Sequence, residues 1–347
     1  MREVIQEEAV QKALQNHRGA LSLPMRSGKT LVGLKIASNF KKVLVAYPNA
    51  SIKQSWLDDI EKFSMPSENI EFTTYISLKK YDLNDYDCVI LDEVQDCSIS
   101  NWEILSNYLN IRLYALSGTM PNKGDKVKYL NALCPIIYHK SLDETVGHLQ
   151  KDYTIHVHML EPSSVNDIKL SSGKSWSEKA RINFWENKYN FTRSFPDMLQ
   201  LIRAISSSPT KYKYLKKLMS TMGRGLIFVE TSEQADSLGI PTYHSKNKNR
   251  DKNLKDFQSG KVDQLATINQ LKAGVTFPDL RKCVILHCYS SNNKASQKLG
   301  RCLNYAEGEK AEVHIIGLKG TRDEQWINSG LADFDKNKII IHENVHL

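Results

Sequence analysis

Short apolar runs alternate with stretches whose apolar residues recur at helical spacing, and this alternation occurs twice along the chain. Residues 3–16 place Ile5, Ala9, Val10 and Ala13 on one helical face. An apolar run from Leu21 enters a tight loop ending Gly28-Lys29-Thr30, and a helix-period stretch continues to Ala37. VLVAY, from Val43 to Tyr47, predicts a strand, Pro48 to Ser51 a turn, and Ile52 and Trp56 belong to the helix after it. Further strands are expected near Glu71 to Tyr75, at Cys88 to Asp92 and at Ile111 to Leu116. Strand, loop and helix repeated in this order predict an open parallel sheet of the α/β class.

From Leu142 to Ser208 the pattern changes. Tyr153 to Met159 alternates like a strand, Glu161 to Ser175 reads as a polar loop, and Ser177 to Ile205 reads as helical. Within that helical stretch Trp185, Tyr189, Phe191 and Phe195 interleave with Lys179, Arg181, Lys188 and Arg193. Such a stripe suits a packed core face or a platform for single-stranded nucleic acid, and helical spacing favours the core. A second α/β pattern follows, with strands at Gly225 to Glu230, Asp263 to Ile268, Cys283 to Leu286 and Ala311 to Gly317. The expected division is residues 1–145 and 146–347, with a helical insertion near 175–206 in the second part.

The chemistry concentrates in the first half. An apolar strand, a loop ending Gly28-Lys29-Thr30 and a helix form a phosphate loop: backbone N–H groups surround phosphates, the Lys29 ammonium reaches the outer ones, and the Thr30 hydroxyl binds Mg²⁺. The full pattern has glycine five residues before Gly28, where this chain has Leu23. Asp92 and Glu93 end a strand that is apolar on both faces, the end at which open α/β sheets bind ligands. One carboxylate there positions Mg²⁺ and the next orients or deprotonates an attacking water. Ser117-Gly118-Thr119 closes the next strand with small hydroxyl residues suited to sensing the phosphate. The second α/β pattern has no phosphate loop of its own, so one nucleotide between two sheets is expected, with Arg301 supplying a guanidinium to the transferring phosphate.

Charge adds a partner class. Net charge is +8, yet residues 1–150 carry 17 Lys/Arg against 18 Asp/Glu and residues 151–347 carry 30 against 21. The second half holds the whole excess, which suggests a polyanion such as nucleic acid. Six scattered cysteines with no Cys-x-x-Cys pair read as reduced core residues, and His156, His158, His342 and His346 as structural. No apolar run approaches a membrane span and the N-terminal segment is charged and amphipathic, so no membrane partner and a cytoplasmic location are expected.

In order, these stretches resemble helicase superfamily two across nearly the whole chain. LPMRSGKT is similar to motif I, VLVAYPNASIKQSW to motif Ia, TTYISL to motif Ib, ILDEVQ to motif II and SGT to motif III. GLIFVET, LATINQLKAGVTFP and SQKLGR are similar to motifs IV, V and VI. The resemblance is stronger to the restriction-enzyme, RecG and Swi/Snf side, including compact phage DNA helicases, than to DEAD-box RNA helicases. It implies two tandem RecA-like domains with an interdomain nucleotide cleft, binding ATP and Mg²⁺.

Residue by residue, the resemblance implies that Gln6 contacts adenine, that Arg26, Ser27, Gly28 and Lys29 surround the phosphates, and that Thr30 and Asp92 hold Mg²⁺. Glu93 would be the base, Gln297 and Arg301 would face the γ-phosphate, and Gly274 and Thr276 would lie near the nucleotide. Pro48, Asn49, Ser51, Thr74, Thr231 and Thr267 would lie near the polymer backbone, with Gln95, Ser117 and Thr119 coupling the two sites. The chain departs from the family at Gln95, where many relatives have His, at Thr276, and at Asn304, where a second arginine is usual. Arg2 falls one residue off its usual spacing from Gln6. The expected activity is an ATP-dependent DNA helicase or translocase in replication, recombination or repair, with proteins of those processes as partners. The alternatives are an RNA-dependent ATPase and a weakly hydrolysing binding or strand-annealing switch.

Overall fold

The computed structural model describes the chain apart from residues 1, 25–26, 122–123, 142, 147–151, 170–174, 269–276, 278–279, 289–309, 333 and 344–347. Two compact units result, one running to Gln150 and the other formed mainly by the chain from Lys151 onward.

The first unit contains α1 (Arg2–Gln15), β1 (Arg18–Ser22), α2 (Lys29–Ala37), β2 (Val43–Tyr47), α3 (Ala50–Phe63) and β3 (Ile70–Thr74). It continues with β4 (Cys88–Asp92), α4 (Ile99–Ser106), β5 (Arg112–Ser117), α5 (Asp125–Leu133) and β6 (Ile136–His139). The strands form one sheet in the order β3-β2-β4-β5-β1-β6, and every pairing is parallel. Side chains alternate between faces along a strand, so each run feeds two cores. Val43, Val45, Cys88 and Ile90 pack with Ala9 of α1, Val32 and Ile36 of α2, and Trp56 of α3. Leu44, Ala46, Val89 and Leu91 pack on the other face with Trp102 and Leu105 of α4 and Leu130 of α5. Burial on both faces is why β2 and β4 are apolar at nearly every position.

The second unit opens with β7 (Asp152–Leu160), the short antiparallel pair β8 (Ile168–Lys169) and β9 (Ser175–Trp176), α6 (Glu178–Thr192), α7 (Phe195–Ser206) and α8 (Pro209–Met222). Then come β10 (Gly225–Phe228), α9 (Ser232–Asp236), β11 (Thr242–Tyr243), α10 (Arg250–Gln258) and β12 (Gln264–Thr267). The unit ends with β13 (Lys282–Ile285), β14 (Lys310–Leu318), α11 (Arg322–Gly330) and β15 (Ile339–His342). Its sheet runs β11-β12-β10-β13-β14-β7-β15, again with parallel pairings. The predicted helix from Ser177 to Ile205 is two helices. Arg193 adopts a left-handed conformation at the end of α6, Ser194 caps α7, and Pro196 in the first turn cannot continue a preceding helix. The five cysteines among the described residues are buried free thiols, as expected.

Two polar features are built into the second unit. Lys211 of α8 and Asp323 of α11 form an ion pair at 2.6 Å, with both side chains wholly buried. Lys211 also donates to the Leu286 carbonyl at 2.9 Å, and Asp323 accepts the Leu318 N–H at 3.0 Å. Asp323 is nonetheless pushed above the usual carboxylate range by burial, with Lys211 opposing. The other feature is a ladder of imidazoles across β14, β7 and β15. His156 Nδ1 lies 2.9 Å from His342 Nε2, His158 Nε2 lies 3.0 Å from His314 Nδ1, and the Tyr214 hydroxyl meets His158 Nδ1 at 3.0 Å. Burial, then the neighbouring imidazoles, lowers His158 to about 3 and His314 to about 4. Glu312 favours and Lys282 opposes a proton on His314.

Two outcomes follow for stability. Replacing Lys211 by Met strands the Asp323 carboxylate, so chemical denaturation should find the second unit weaker by about 3–5 kcal/mol. For the ladder, both folded and unfolded chains are neutral above the ordinary histidine value of 6.5. Below it the unfolded chain takes up protons that the folded ladder refuses until about 4 and 3. Stability therefore falls as pH drops through that window, by on the order of 1–2 kcal/mol after allowing for solvent at the partly exposed rings. Melting curves between pH 7.5 and 5 should show the loss, and His158→Gln should flatten it.

Candidate active site

The end of β1 leads through Leu23 and Pro24 to the start of α2, and a glutamine from α1 fixes that passage. Gln6 is buried, and its Nε2 donates to the Ser27 carbonyl at 2.7 Å. Ser27 Oγ in turn donates to the Pro24 carbonyl at 2.8 Å. Gly28 caps α2 with φ 83°, and a Cβ there would lie 2.3 Å from Gln6 Nε2. Glycine is required twice over, by the left-handed backbone and by the close approach of Gln6. Lys29 and Thr30 are thus the first two residues of α2, where helical N–H groups have no intrahelical partner and the dipole favours an anion.

Facing this helix start from the sheet is the C-terminal end of β4. Asp92 is buried there, and its carboxylate is held from two sides: Trp56 Nε1 donates to Oδ2 at 2.8 Å and the Glu93 N–H to Oδ1 at 2.9 Å. The Tyr75 hydroxyl donates to the Asp92 carbonyl at 2.7 Å. Burial and the Glu93 charge raise Asp92 to about 6, against the pull of the Trp56 bond and the Lys29 ammonium. Glu93 has φ 49°, an uncommon conformation for a residue with a side chain, of the kind held at functional sites by surrounding structure.

A polar chain leads away from Glu93. Gln95 Nε2 donates to Glu93 Oε2 at 2.7 Å, while Ser117 Oγ donates to Gln95 Oε1 and accepts the Thr119 N–H at 3.0 Å. Lys126 of α5 donates to the Gln95 carbonyl at 2.8 Å. The amide of Gln95 thereby joins the end of β4 to the end of β5, a task its two-ended donor and acceptor group allows.

Sequence reasoning missed Trp56, Asp59 and Tyr75. Trp56 reaches Asp92 because Gly33 leaves room: a Cβ on Gly33 would lie 2.4 Å from the Trp56 ring. Thr30 hydrogen-bonds the Asp59 carboxylate, which is itself raised by burial. Thr30 at the head of α2 and Asp92 at the end of β4 offer a hydroxyl and a carboxylate. The donor set therefore suits Mg²⁺, which binds through one or two carboxylates, hydroxyls and phosphate oxygens. A dication beside Asp92 would also offset the repulsion from Glu93. Among the described residues no cluster of three or more His, Cys, Asp or Glu is arranged to hold a metal by itself.

The remaining predicted residues are more dispersed. Pro48 and Asn49 follow β2, Ser51 lies in α3 with its side chain outside the described residues, and Thr74 ends β3. All four belong to the first unit. In the second, Thr231 caps α9, its hydroxyl accepting the Gln234 N–H at 3.2 Å. Thr267 departs from expectation: it is fully buried and its hydroxyl bonds the Tyr243 carbonyl at 3.1 Å, so its side chain presents nothing to a polymer. Arg26, Gly274, Thr276, Gln297 and Arg301 lie outside the described residues. A depression of about 550 Å³ lined by His17, Asp87 and Arg112 sits at the opposite end of the strands from Lys29 and Asp92.

A glycine-capped helix start opposite paired carboxylates, in a chain with two parallel sheets, forms a candidate P-loop nucleotide site. Comparison with known proteins agrees. The family described as helicase conserved C-terminal domain matches residues 210–306. The chain is 24% identical to the DNA 3'-5' translocase XPB2 of Sulfurisphaera tokodaii, covering 92% of this chain and 82% of that protein. The fold is similar to S. cerevisiae Dbp5 bound to RNA and ADP BeF3, with TM-score 0.58, 14% identity and coverage of 97% and 89%. It is also similar to the Pyrococcus furiosus Hef helicase domain, with TM-score 0.53, 15% identity and coverage of 94% and 97%. These likenesses support helicase superfamily two, whose members are nucleic-acid-dependent ATPases.

The Trp56 bond gives a direct check. Trp56→Phe keeps most of the packing but leaves Asp92 Oδ2 buried without its donor, which should cost about 1–3 kcal/mol of stability in denaturant titrations. Nucleotide binding should also require more Mg²⁺. Unchanged values in both measurements would mean that the bond positions nothing.

Proposed function

We propose that the chain is an ATP-driven helicase or translocase that moves on DNA, acting in replication, recombination or repair on forked or branched substrates. The observation that carries this reading is the polar chain from Asp92 and Glu93 through Gln95 and Ser117 to Thr119. It links the carboxylates at the end of β4 to the end of the neighbouring strand, so a change at one can move the other. The choice of DNA draws on the resemblance of the motifs and on the name of the related translocase. The basic second half supplies the charge for backbone binding without sequence preference.

In this reading the N-terminus of α2 and the Lys29 ammonium bind the outer phosphates of ATP, and Thr30 and Asp92 would hold Mg²⁺. The metal, when bound, withdraws charge from the phosphate oxygens. Glu93 accepts a proton from the attacking water, and Gln95 holds the Glu93 carboxylate in place while it does so. Tyr75 and Trp56 keep Asp92 from turning away. Gln297 and Arg301 enter through the sequence resemblance, as groups acting on the same nucleotide. Asn304, where a second arginine is usual, supports a second reading, a slowly hydrolysing switch that binds or anneals strands.

Two measurements test the assignment together. ATP turnover should rise with single-stranded, duplex or forked DNA more than with RNA of the same length, and Lys29→Ala should abolish turnover while retaining DNA binding. Stimulation by RNA alone would overturn the choice of DNA. Retained turnover in Lys29→Ala would overturn the site. ATP binding without turnover on any polymer would favour the switch.

A further inference from the structure

The aromatic and basic stripe of α6 and α7 divides into two sets. Trp185 and Tyr189 pack against the hydrophobic core of the second unit, as a helical stripe should. Phe191 and Phe195 do not: they are 91% and 73% exposed. They flank the turn between α6 and α7, so both project from the tip of one helical hairpin.

The turn that presents them is firmly built. Asp197 is nearly buried, and its carboxylate accepts the hydroxyls of Thr192 and Ser194, each at 2.7 Å. Lys188 pairs with it at 3.1 Å, and Ser194 Oγ accepts the Asp197 N–H at 3.3 Å. Two phenylalanines are therefore held out in water by a preorganised frame, an arrangement that stability alone does not favour. Two cations stand at the neighbouring Tyr189 ring of the same hairpin. The guanidinium of Arg193 lies 5.7 Å from the Tyr189 ring centre and that of Arg322 lies 5.3 Å from it. Arg322 is also anchored to Asn190 Oδ1 at 3.1 Å. From residue 178 to 222 the chain carries nine Lys or Arg against three Asp or Glu.

We propose that this hairpin tip is a nucleobase-stacking site, in which Phe191 and Phe195 stack on unpaired bases while Arg193 and Arg322 hold the adjoining phosphates. The proposal rests on the nucleic-acid reading above and adds a contact outside the motifs that support it. Aromatic faces beside guanidinium groups match a single strand, whose bases offer π-faces at every position and whose backbone is anionic. A second copy of the chain fits less well, since two phenylalanines expose roughly 300–400 Å² and a stable dimer buries about 800 Å² on each partner. Stacking requires unpaired bases, so the site favours single strands and forks over blunt duplex.

The test is binding of a fluorescent oligothymidylate, a fork and a blunt duplex, measured by anisotropy over a range of salt. The Phe191→Ala, Phe195→Ala double variant should bind single strand and fork at least about tenfold more weakly, with duplex affinity and salt slope little changed. The Phe→Tyr pair should restore binding, because tyrosine offers the same face. ATPase without polymer and the melting temperature should match the native chain, both side chains being in solvent. Equal affinity of the alanine pair and the native chain for all three polymers overturns the proposal, as does equal weakening on all three. Loss of a dimer in sedimentation with unchanged polymer binding overturns it in favour of self-association. If the native chain binds none of the polymers, the reading it rests on fails too.

Discussion

One buried carboxylate organises the catalytic unit. Asp92 ends β4, the third strand in a sheet ordered β3-β2-β4-β5-β1-β6, and its burial beside Glu93 disfavours the ionised form. Burial and Glu93 raise it to about 6, while the Trp56 indole and the Lys29 ammonium pull the other way. Each of these constraints has a structural cost elsewhere in the unit. Trp56 needs Gly33 to pass beside α2, Glu93 takes a left-handed backbone, and Gly28 must yield space to Gln6. The phosphate loop, the two helices beside it and the end of β4 are therefore one packing problem with one solution.

The second unit solves a different problem, because its sheet joins the two ends of the unit's own sequence. Its first strand, β7, lies between β14 and β15. Where these strands meet, imidazoles take positions that apolar residues hold elsewhere in the sheet. They remain compatible with the fold by bonding to one another, and burial lowers His156, His158 and His314. The Lys211 to Asp323 pair locks α8 to the start of α11 in a place without water, so neither partner can be lost alone. Glu178 does similar work at the start of α6, accepting the Ser163 N–H at 2.8 Å and the hydroxyls of Ser208 and Thr210. That frame carries the hairpin on which Phe191 and Phe195 are displayed.

What could be read from the sequence was whatever a strand buried on both faces imposes locally. VLVAY and CVIL are continuous apolar runs because β2 and β4 have a core on each side. Gly28-Lys29-Thr30 could be read because backbone geometry and charge there leave few alternatives. β6 and β15, by contrast, are edge strands with one neighbour each, and half-exposed residues carry no comparable signal. The hydrogen bond from Trp56 to Asp92 spans 36 positions, and nothing local marks either residue for the other. The histidine ladder depends on strand order and register, which parallel crossovers leave unspecified in sequence. Thr267 shows the same limit: its place at the end of a strand was visible, but not the Tyr243 carbonyl beside it that takes its hydroxyl.

Division of labour between neighbouring carboxylates is the claim on which the catalytic account stands, with Asp92 for the metal and Glu93 for the proton. The most direct measurement is ATP retention by a Glu93→Gln chain with Mg²⁺ present, followed by the identity of the retained nucleotide. The account predicts one intact ATP held per chain and turnover lowered by about 10²–10⁴-fold, the usual worth of a general base. Turnover near the native rate, or failure to hold ATP at all, would contradict it.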